Sequence, residues 1–174
     1  MNVVGLTKGV YQVMVNDVSA AFELTSDNVM PSASISGTVW HDLCAASAHG
    51  QPGPETAPPG CVAGDQGGYQ ADGVLQAGEP GIGEVLISLR DGRCRAGDEI
   101  ATARTAADGR YRFGDLAPGD YCVLIDVLAA ENAHLLPGGW TYPQRDPEAG
   151  AAYVALSLAP GEEALAANFG WDYL

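Results

Sequence analysis

Residues 105–125, TAADGRYRFGDLAPGDYCVLI, limit the possible folds more tightly than any other part of this chain. Two short runs alternate in character, Arg110-Tyr111-Arg112-Phe113 and Tyr121-Cys122-Val123-Leu124-Ile125, and each follows a turn signal, Asp108-Gly109 and Pro118-Gly119-Asp120. Asp-Gly ahead of an alternating aromatic run predicts a hairpin, because glycine takes the positive φ that closes such a turn. Side chains two apart share a strand face. Tyr111 and Phe113 therefore lie together, opposite Arg110 and Arg112, and Tyr121, Val123 and Ile125 form a second shared face. A unit of this kind belongs at the centre of a small β-sandwich.

The rest of the sequence agrees with an all-β chain. Its 174 residues suit one domain, or one domain with a small appendage. A hydrophobic content of 47% fills a core, and 23 Gly with 11 Pro fit short strands joined by turns. Eight basic against 22 acidic residues give a net charge of −14, which argues against nucleic acid or anionic membrane as partner. That charge suits solubility and, where carboxylates converge, a hard cation. The even cysteine count, 4, in a turn-rich β chain predicts disulfides and an oxidising, extracellular setting. No apolar run is long enough to span a bilayer. The start, Met1-Asn2-Val3-Val4, has no basic n-region or cleavage site, so no secretory signal peptide is read there. An extracellular chain is then expected to be a mature form or an excised fragment.

Residues 1–34 read as an appendage. Two strand-like runs, 9–15 and 20–25, flank Asn16-Asp17, and residues 27–34 with Pro31 read as a linker. Two strands alone are marginal in water. The pair is expected to join the following domain, an upstream domain or another copy of the protein. The main domain, 35–174, opens with a strand over 35–41 that ends in the carboxylate of Asp42. Residues 43–70 then lose all periodicity, with six Gly and four Pro among 28 residues, and read as one long inserted loop. Cys44 and Cys61 lie near its ends, and their pairing would contribute roughly 3 kcal/mol in the chain-entropy model. Cys94 lies just past one strand and Cys122 within another, which suggests a second bridge. Strands are expected over 84–90, with Val85, Ile87 and Leu89 on one face, and over 100–105, 140–143 at an edge, 153–158 and 166–171. The alanine-rich 127–134 suits a helical turn.

Taken in order, Ile35-Ser36-Gly37-Thr38-Val39-Trp40-His41-Asp42, Asp72-Gly73, Gly78-Glu79-Pro80-Gly81-Ile82, Asp108-Gly109-Arg110-Tyr111-Arg112-Phe113, Leu116-Ala117-Pro118-Gly119-Asp120-Tyr121 and Asn168-Phe169-Gly170 resemble the SdrD B-like and Cna B-like repeats of bacterial surface proteins. The resemblance implies a Greek-key, prealbumin-like β-sandwich of about seven strands. The long disulfide-stapled insertion and the N-terminal two-strand appendage are additions to that frame. It further implies a non-enzymatic module of an extracellular stalk, adhesin or filament at the cell surface. Its partners would be other surface-protein domains, further copies of itself, or a glycan or protein ligand.

In SdrD B-like repeats the first strand leads into an acidic calcium loop. Here Asp42 matches the opening carboxylate, and Asp72 and Glu79 match later members, with residues 43–70 intruding between them. Asp42, Asp72, Glu79 and the Val74 carbonyl would supply part of a calcium shell, with Asp65 or Asp108 as further donors. The alternative is a pair of metal-free tight turns at Asp72-Gly73 and Gly78-Glu79-Pro80-Gly81. Cna B-like relatives carry a Lys–Asn isopeptide bond. Asn168 stands at the matching end, but residues 35–40 hold no lysine and Lys8 lies outside the domain, so no such bond is expected. A second function class is a carbohydrate- or peptide-binding module using the 43–70 insertion and the aromatics Trp40, Tyr69, Trp140 and Tyr142. For catalysis, His41, His49 and His134 are scattered, and His41 and Asp42 are adjacent in a strand and so point to opposite faces.

Overall fold

The computed structural model describes residues 5–25, 31–44, 56–64, 67–143 and 150–173. These form β1 (Gly9–Val15), β2 (Val18–Leu24), β3 (Ala33–His41), β4 (Cys61–Ala63), β5 (Tyr69–Ala71), β6 (Leu86–Asp91), β7 (Glu99–Arg104), β8 (Arg110–Leu116), β9 (Gly119–Asp126), β10 (Gly138–Tyr142), β11 (Ala151–Leu158), β12 (Glu163–Ala164) and β13 (Phe169–Tyr173). One 3-10 turn, Ala130–Leu135, occupies the alanine-rich piece between β9 and β10. Its Asn132 is buried and satisfies β6 directly, accepting from Leu86 N at 2.8 Å and donating to Leu86 O at 3.0 Å.

Two sheets make the sandwich. In the first, β3 is central: β8 runs antiparallel on one side, and β12 and β13 run parallel along the other, with β10 outside β13. The second has the order β11-β9-β6-β7, antiparallel throughout. The alternating faces read from the sequence meet between them. Ile35, Val39, Tyr111, Phe113, Phe169 and Trp171 from the first sheet pack against Val85, Ile87, Leu89, Val123 and Ile125 from the second. Arg110 and Arg112, on the opposite face of β8, are exposed.

Residues 105–125 do not form the expected hairpin. The Asp108-Gly109 turn does close, with Ala106 N donating to Arg110 O at 2.9 Å and Gly109 at φ +77. Yet β7 lies in the second sheet, β8 in the first and β9 again in the second. The stretch is two crossings between sheets. Asp-Gly specifies a reversal of the chain, and it does not specify which strand the returning chain pairs with. Tyr111 and Phe113 on β8 thus face Tyr121, Val123 and Ile125 across the core.

The described part of the 43–70 insertion holds strands that its sequence does not suggest. β4 and β5 pair antiparallel, Cys61 with Ala71 and Ala63 with Tyr69. Strands of three residues are too short to show periodicity. Trp40 and Trp140 are core residues, 2% and 7% exposed, and not surface platforms. Trp140 packs edge-on against Trp171 at 4.7 Å and Phe169 at 5.9 Å, which leaves half-buried Tyr69 and exposed Tyr142.

At the N-terminus β1 and β2 form a two-stranded sheet of their own, with Tyr11 paired to Phe22 and their rings stacked at 5.6 Å. Asn16 and Asp17 close the turn at φ 49 and 63. These residue types tolerate the left-handed region that a two-residue hairpin loop requires. Neither strand contributes to the buried clusters among the described residues.

Candidate functional site

The parallel pairing of β13 with β3 carries the chain to a buried carboxylate. Asp42 N donates to Trp171 O at 2.9 Å, which continues the ladder one residue past β3, and the Asp42 side chain is 0% exposed. On the other side of β3, His41 N donates to Pro80 O at 2.9 Å and Trp40 bridges Gly81. Gly81 is required there, because a Cβ would lie 1.9 Å from the Asp108 carbonyl oxygen. This docking of residues 80–81 brings Glu79 to the end of β3.

Three acidic residues of the sequence motif then share one set of hydrogen bonds. Asp42 Oδ2 accepts from Gly73 N at 2.7 Å. Glu79 Oε1 accepts from Leu43 N at 2.9 Å and its Oε2 from Gln76 N at 2.8 Å. Asp72 Oδ1 accepts from Val74 N at 2.8 Å and its Oδ2 from Gln76 Nε2 at 2.7 Å. Burial pushes the Asp42 carboxyl above the usual carboxylate range, and the nearby charges of Glu79 and Asp72 add to this. The Gly73 N–H opposes the shift, as does the Thr141 hydroxyl, which stands close to the carboxyl but falls short of hydrogen-bond geometry. Among the described residues, three oxygens here are buried without a partner: Asp42 Oδ1, Gln76 Oε1 and the Thr141 hydroxyl.

Asp108 stands apart from this set. Its carboxylate faces Arg110, with Nε at 3.7 Å and the backbone N–H at 3.2 Å, and only the backbone of its turn touches the acidic segment, at Gly81. Val74 is exposed and gives its N–H to Asp72. Asp65 and His49 lie outside the described residues. Among the described residues no three His, Cys, Asp or Glu side chains converge as a ready-made metal shell. Gln76 is the participant that reading for carboxylates passed over. Its position between Asp72 and Glu79 was the available signal.

Disulfides join Cys44 to Cys61 and Cys94 to Cys122. The first abuts the acidic loop, since Cys44 follows Asp42 closely and the partner of Cys61 in the hairpin, Ala71, immediately precedes Asp72. Asn168, at the isopeptide position of Cna B-like repeats, serves the backbone instead: its Oδ1 accepts from Thr38 N at 2.9 Å. His41 Nε2 stands 3.7 Å from Asp172 Oδ1, on the other side of the strand from Asp42.

Residues 66–137 match the family model of the SdrD B-like domain, which bears out the resemblance over that segment. A stretch of 58 residues, 33% of this chain, is 44% identical to bone sialoprotein-binding protein and to serine-aspartate repeat-containing protein E, both of Staphylococcus aureus, and covers 5% of each. Another comparison gives 41% identity over 49 residues, 28% of this chain, with Colossin-A of Dictyostelium discoideum. The chain therefore spans 5% or less of the length of these curated relatives. Among solved structures, the minor pilin GBS52 of Streptococcus agalactiae aligns over 95% of this chain and 61% of its own, at 12% identity and a TM-score of 0.41. The TIE protein of Bacillus anthracis aligns over 95% and 25%, at 11% identity and a TM-score of 0.40.

Proposed function

We propose that this chain is a non-enzymatic, extracellular structural module of a bacterial surface protein, a segment of a stalk, adhesin or filament, whose acidic loop is stabilised by calcium. The observation that carries the module assignment is the SdrD B-like match over 66–137, which includes Asp72, Glu79 and the core strands β6, β8 and β9. Two disulfides support an oxidising location outside the cell. Among the described residues no helix is long and apolar enough to cross a membrane. The module's partners are adjoining surface-protein domains or further copies of the chain. Antibody labelling of intact cells, or release of the module by protease from their surface, tests the location. Signal only after lysis would reject it.

Calcium fits the donor chemistry of the loop. Every candidate donor is an oxygen, and two of them, Asp42 Oδ1 and Gln76 Oε1, are buried with no hydrogen-bond partner. Asp42, Asp72 and Glu79 with the Gln76 and Val74 carbonyls would hold the ion. Bound there, it would neutralise the Asp42 carboxylate, which burial and the charges of Glu79 and Asp72 disfavour as an anion. The chain's part is to hold those groups together, through the Gly73, Leu43 and Gln76 amides. A ligand that binds only the folded state stabilises it by RT ln(1 + [L]/Kd), about 2.7 kcal/mol at a hundredfold excess over Kd. Melting in excess calcium should then exceed melting in chelator by several degrees. Equal melting temperatures would reject calcium and leave the module assignment intact.

A further inference from the structure

The acidic loop is assembled from two distant pieces of sequence, and contacts beside a disulfide join them. Gly60, next to Cys61, accepts the Asp72 N–H at 3.1 Å. Gly60 also lies so close to Leu43, next to Cys44, that a Cβ would stand 2.7 Å from the Leu43 carbonyl oxygen. Leu43 N in turn donates to Glu79. Each half of the loop is thus attached to the immediate neighbour of one half-cystine.

Cys44, Cys61 and Ala71, with Tyr69 against them, form a buried cluster separate from the main core. Two strands of three residues do not stand alone in water, and both half-cystines are part of the cluster that packs here. The other disulfide is placed differently. Cys122 is fully buried in β9, which is paired to β11 along its length and to β6 from Tyr121 to Leu124. Its register is fixed by these ladders whether or not Cys94 is attached.

We propose that the Cys44–Cys61 bond is a redox-sensitive latch on the acidic loop, whose opening releases Asp72 and the Leu43, Gly73 and Gln76 amides from Asp42 and Glu79, while those two carboxylates stay docked on β3 and the sandwich stays folded. A small dithiol supplies the electrons. Its thiolate attacks one sulfur, its second thiol resolves the mixed disulfide, and the products are the Cys44 and Cys61 thiols and the oxidised dithiol. The consequence for calcium rests on the calcium assignment above. If opening the latch lowers calcium affinity by some factor, calcium makes the bond harder to reduce by the same factor. A tenfold effect corresponds to about 30 mV on the potential of the bond.

The test compares the full chain with two double variants, Cys44→Ser/Cys61→Ser and Cys94→Ser/Cys122→Ser. Hydrogen exchange is followed at the amides of Leu43, Gly73 and Gln76, which donate to Glu79, Asp42 and Glu79. The amides of Val39 and Ile82, bonded to Gly109 O and Val39 O, report the sandwich. Calcium affinity of all three proteins is measured by calorimetry. The Cys44/Cys61 variant should exchange the three loop amides at least tenfold faster, keep Val39 and Ile82 protected, and bind calcium at least tenfold more weakly. The Cys94/Cys122 variant should match the parent on the loop amides and in affinity. Unchanged loop protection in the Cys44/Cys61 variant overturns the latch, whether or not calcium binds. Loss of protection at Val39 and Ile82 as well overturns it too, because the bond would then support the whole sandwich. Selective loop release without calcium binding by the parent chain supports the latch and rejects the calcium assignment alone.

Discussion

Asp42 Oδ2 accepts the Gly73 backbone N–H at 2.7 Å across 31 positions of sequence, while Oδ1 of the same carboxylate is buried without a partner. One oxygen ties the end of β3 to the loop beyond the insertion. The other, in a side chain that is 0% exposed, has only the Thr141 hydroxyl close by and leaves room for a proton or a cation. A fully buried carboxylate in this state opposes folding unless something neutralises it.

Asp42→Asn removes the charge and keeps an oxygen for Gly73. In chelator the variant is expected to be more stable than the parent, because a buried charge is removed and the new amide nitrogen can donate to the unpartnered Thr141 hydroxyl. In excess calcium it should gain nothing, so the order of melting temperatures reverses. Differential scanning fluorimetry of both proteins under the two conditions measures this. A variant that melts below the parent in chelator would show that the carboxylate is already well satisfied.

The inward faces of the sandwich were legible in the sequence because alternation is a local property. Val85, Ile87 and Leu89 are all 0% exposed, as their spacing required. The sheet membership of β8 was not legible. Its turn chemistry fits a hairpin, and only the pairing of Ile35 with Phe113 and Gly37 with Tyr111 commits it to β3. For Trp40 and Trp140 an aromatic in a short strand reads as core more readily than as a sugar platform, and their burial at 2% and 7% exposure agrees with the core reading. The acidic loop was legible through Asp42, Asp72 and Glu79, whose charges mark them. Gln76 was not, because an amide oxygen matters there only once its burial and lack of a partner are known.

Gly81→Ala tests the docking that positions Glu79. Its Cβ would meet the Asp108 carbonyl oxygen at 1.9 Å and the Asp108 carbonyl carbon at 2.1 Å, both backbone atoms that cannot rotate away. Overpacking of this kind typically costs about 1–3 kcal/mol, and more against rigid backbone. Chemical denaturation should show a loss at or above the top of that range. A midpoint within error of the parent would mean that the 106–109 turn moves freely, contrary to its hydrogen bonds.

Tyr111 links stability to alkaline pH. Its hydroxyl donates to the Ala167 carbonyl, and burial pushes its pKa far above the ordinary tyrosine value. The folded state therefore keeps the phenol protonated where the unfolded chain ionises, near pH 10. This contribution is complete below about pH 10 and is lost as pH rises beyond it toward the folded pKa. Tyr111→Phe should cost about 1 kcal/mol near neutral pH for the lost hydrogen bond. It should also flatten the fall in stability above about pH 10, leaving the smaller share of Tyr173, whose pKa burial also raises. Denaturant midpoints across that range decide it, and an identical alkaline slope in the variant would count against Tyr111.

Removal of residues 1–30 tests whether the N-terminal hairpin is separable. The cut belongs ahead of Pro31, whose carbonyl accepts the Gly161 N–H at 3.0 Å, and ahead of Ala33, which is 2% exposed and pairs with Leu116. β1 and β2 form their own sheet and add nothing to the buried clusters, so the truncated chain should unfold within about 0.5 kcal/mol of the parent. Val10, Met14 and Val18 are 71%, 74% and 71% exposed on a sheet that pairs with no other named strand among the described residues, and such an edge can take a strand from outside. If further copies of the chain are its partner, light scattering should show that the full chain associates in an open-ended, concentration-dependent manner and that the truncated chain stays monomeric. Two monomers would remove the filament from the proposed assemblies and leave the stalk or adhesin. Association that persists after truncation would move the contact to the sandwich itself, where β7, β8, β10, β11 and β12 each pair with one strand only among the described residues.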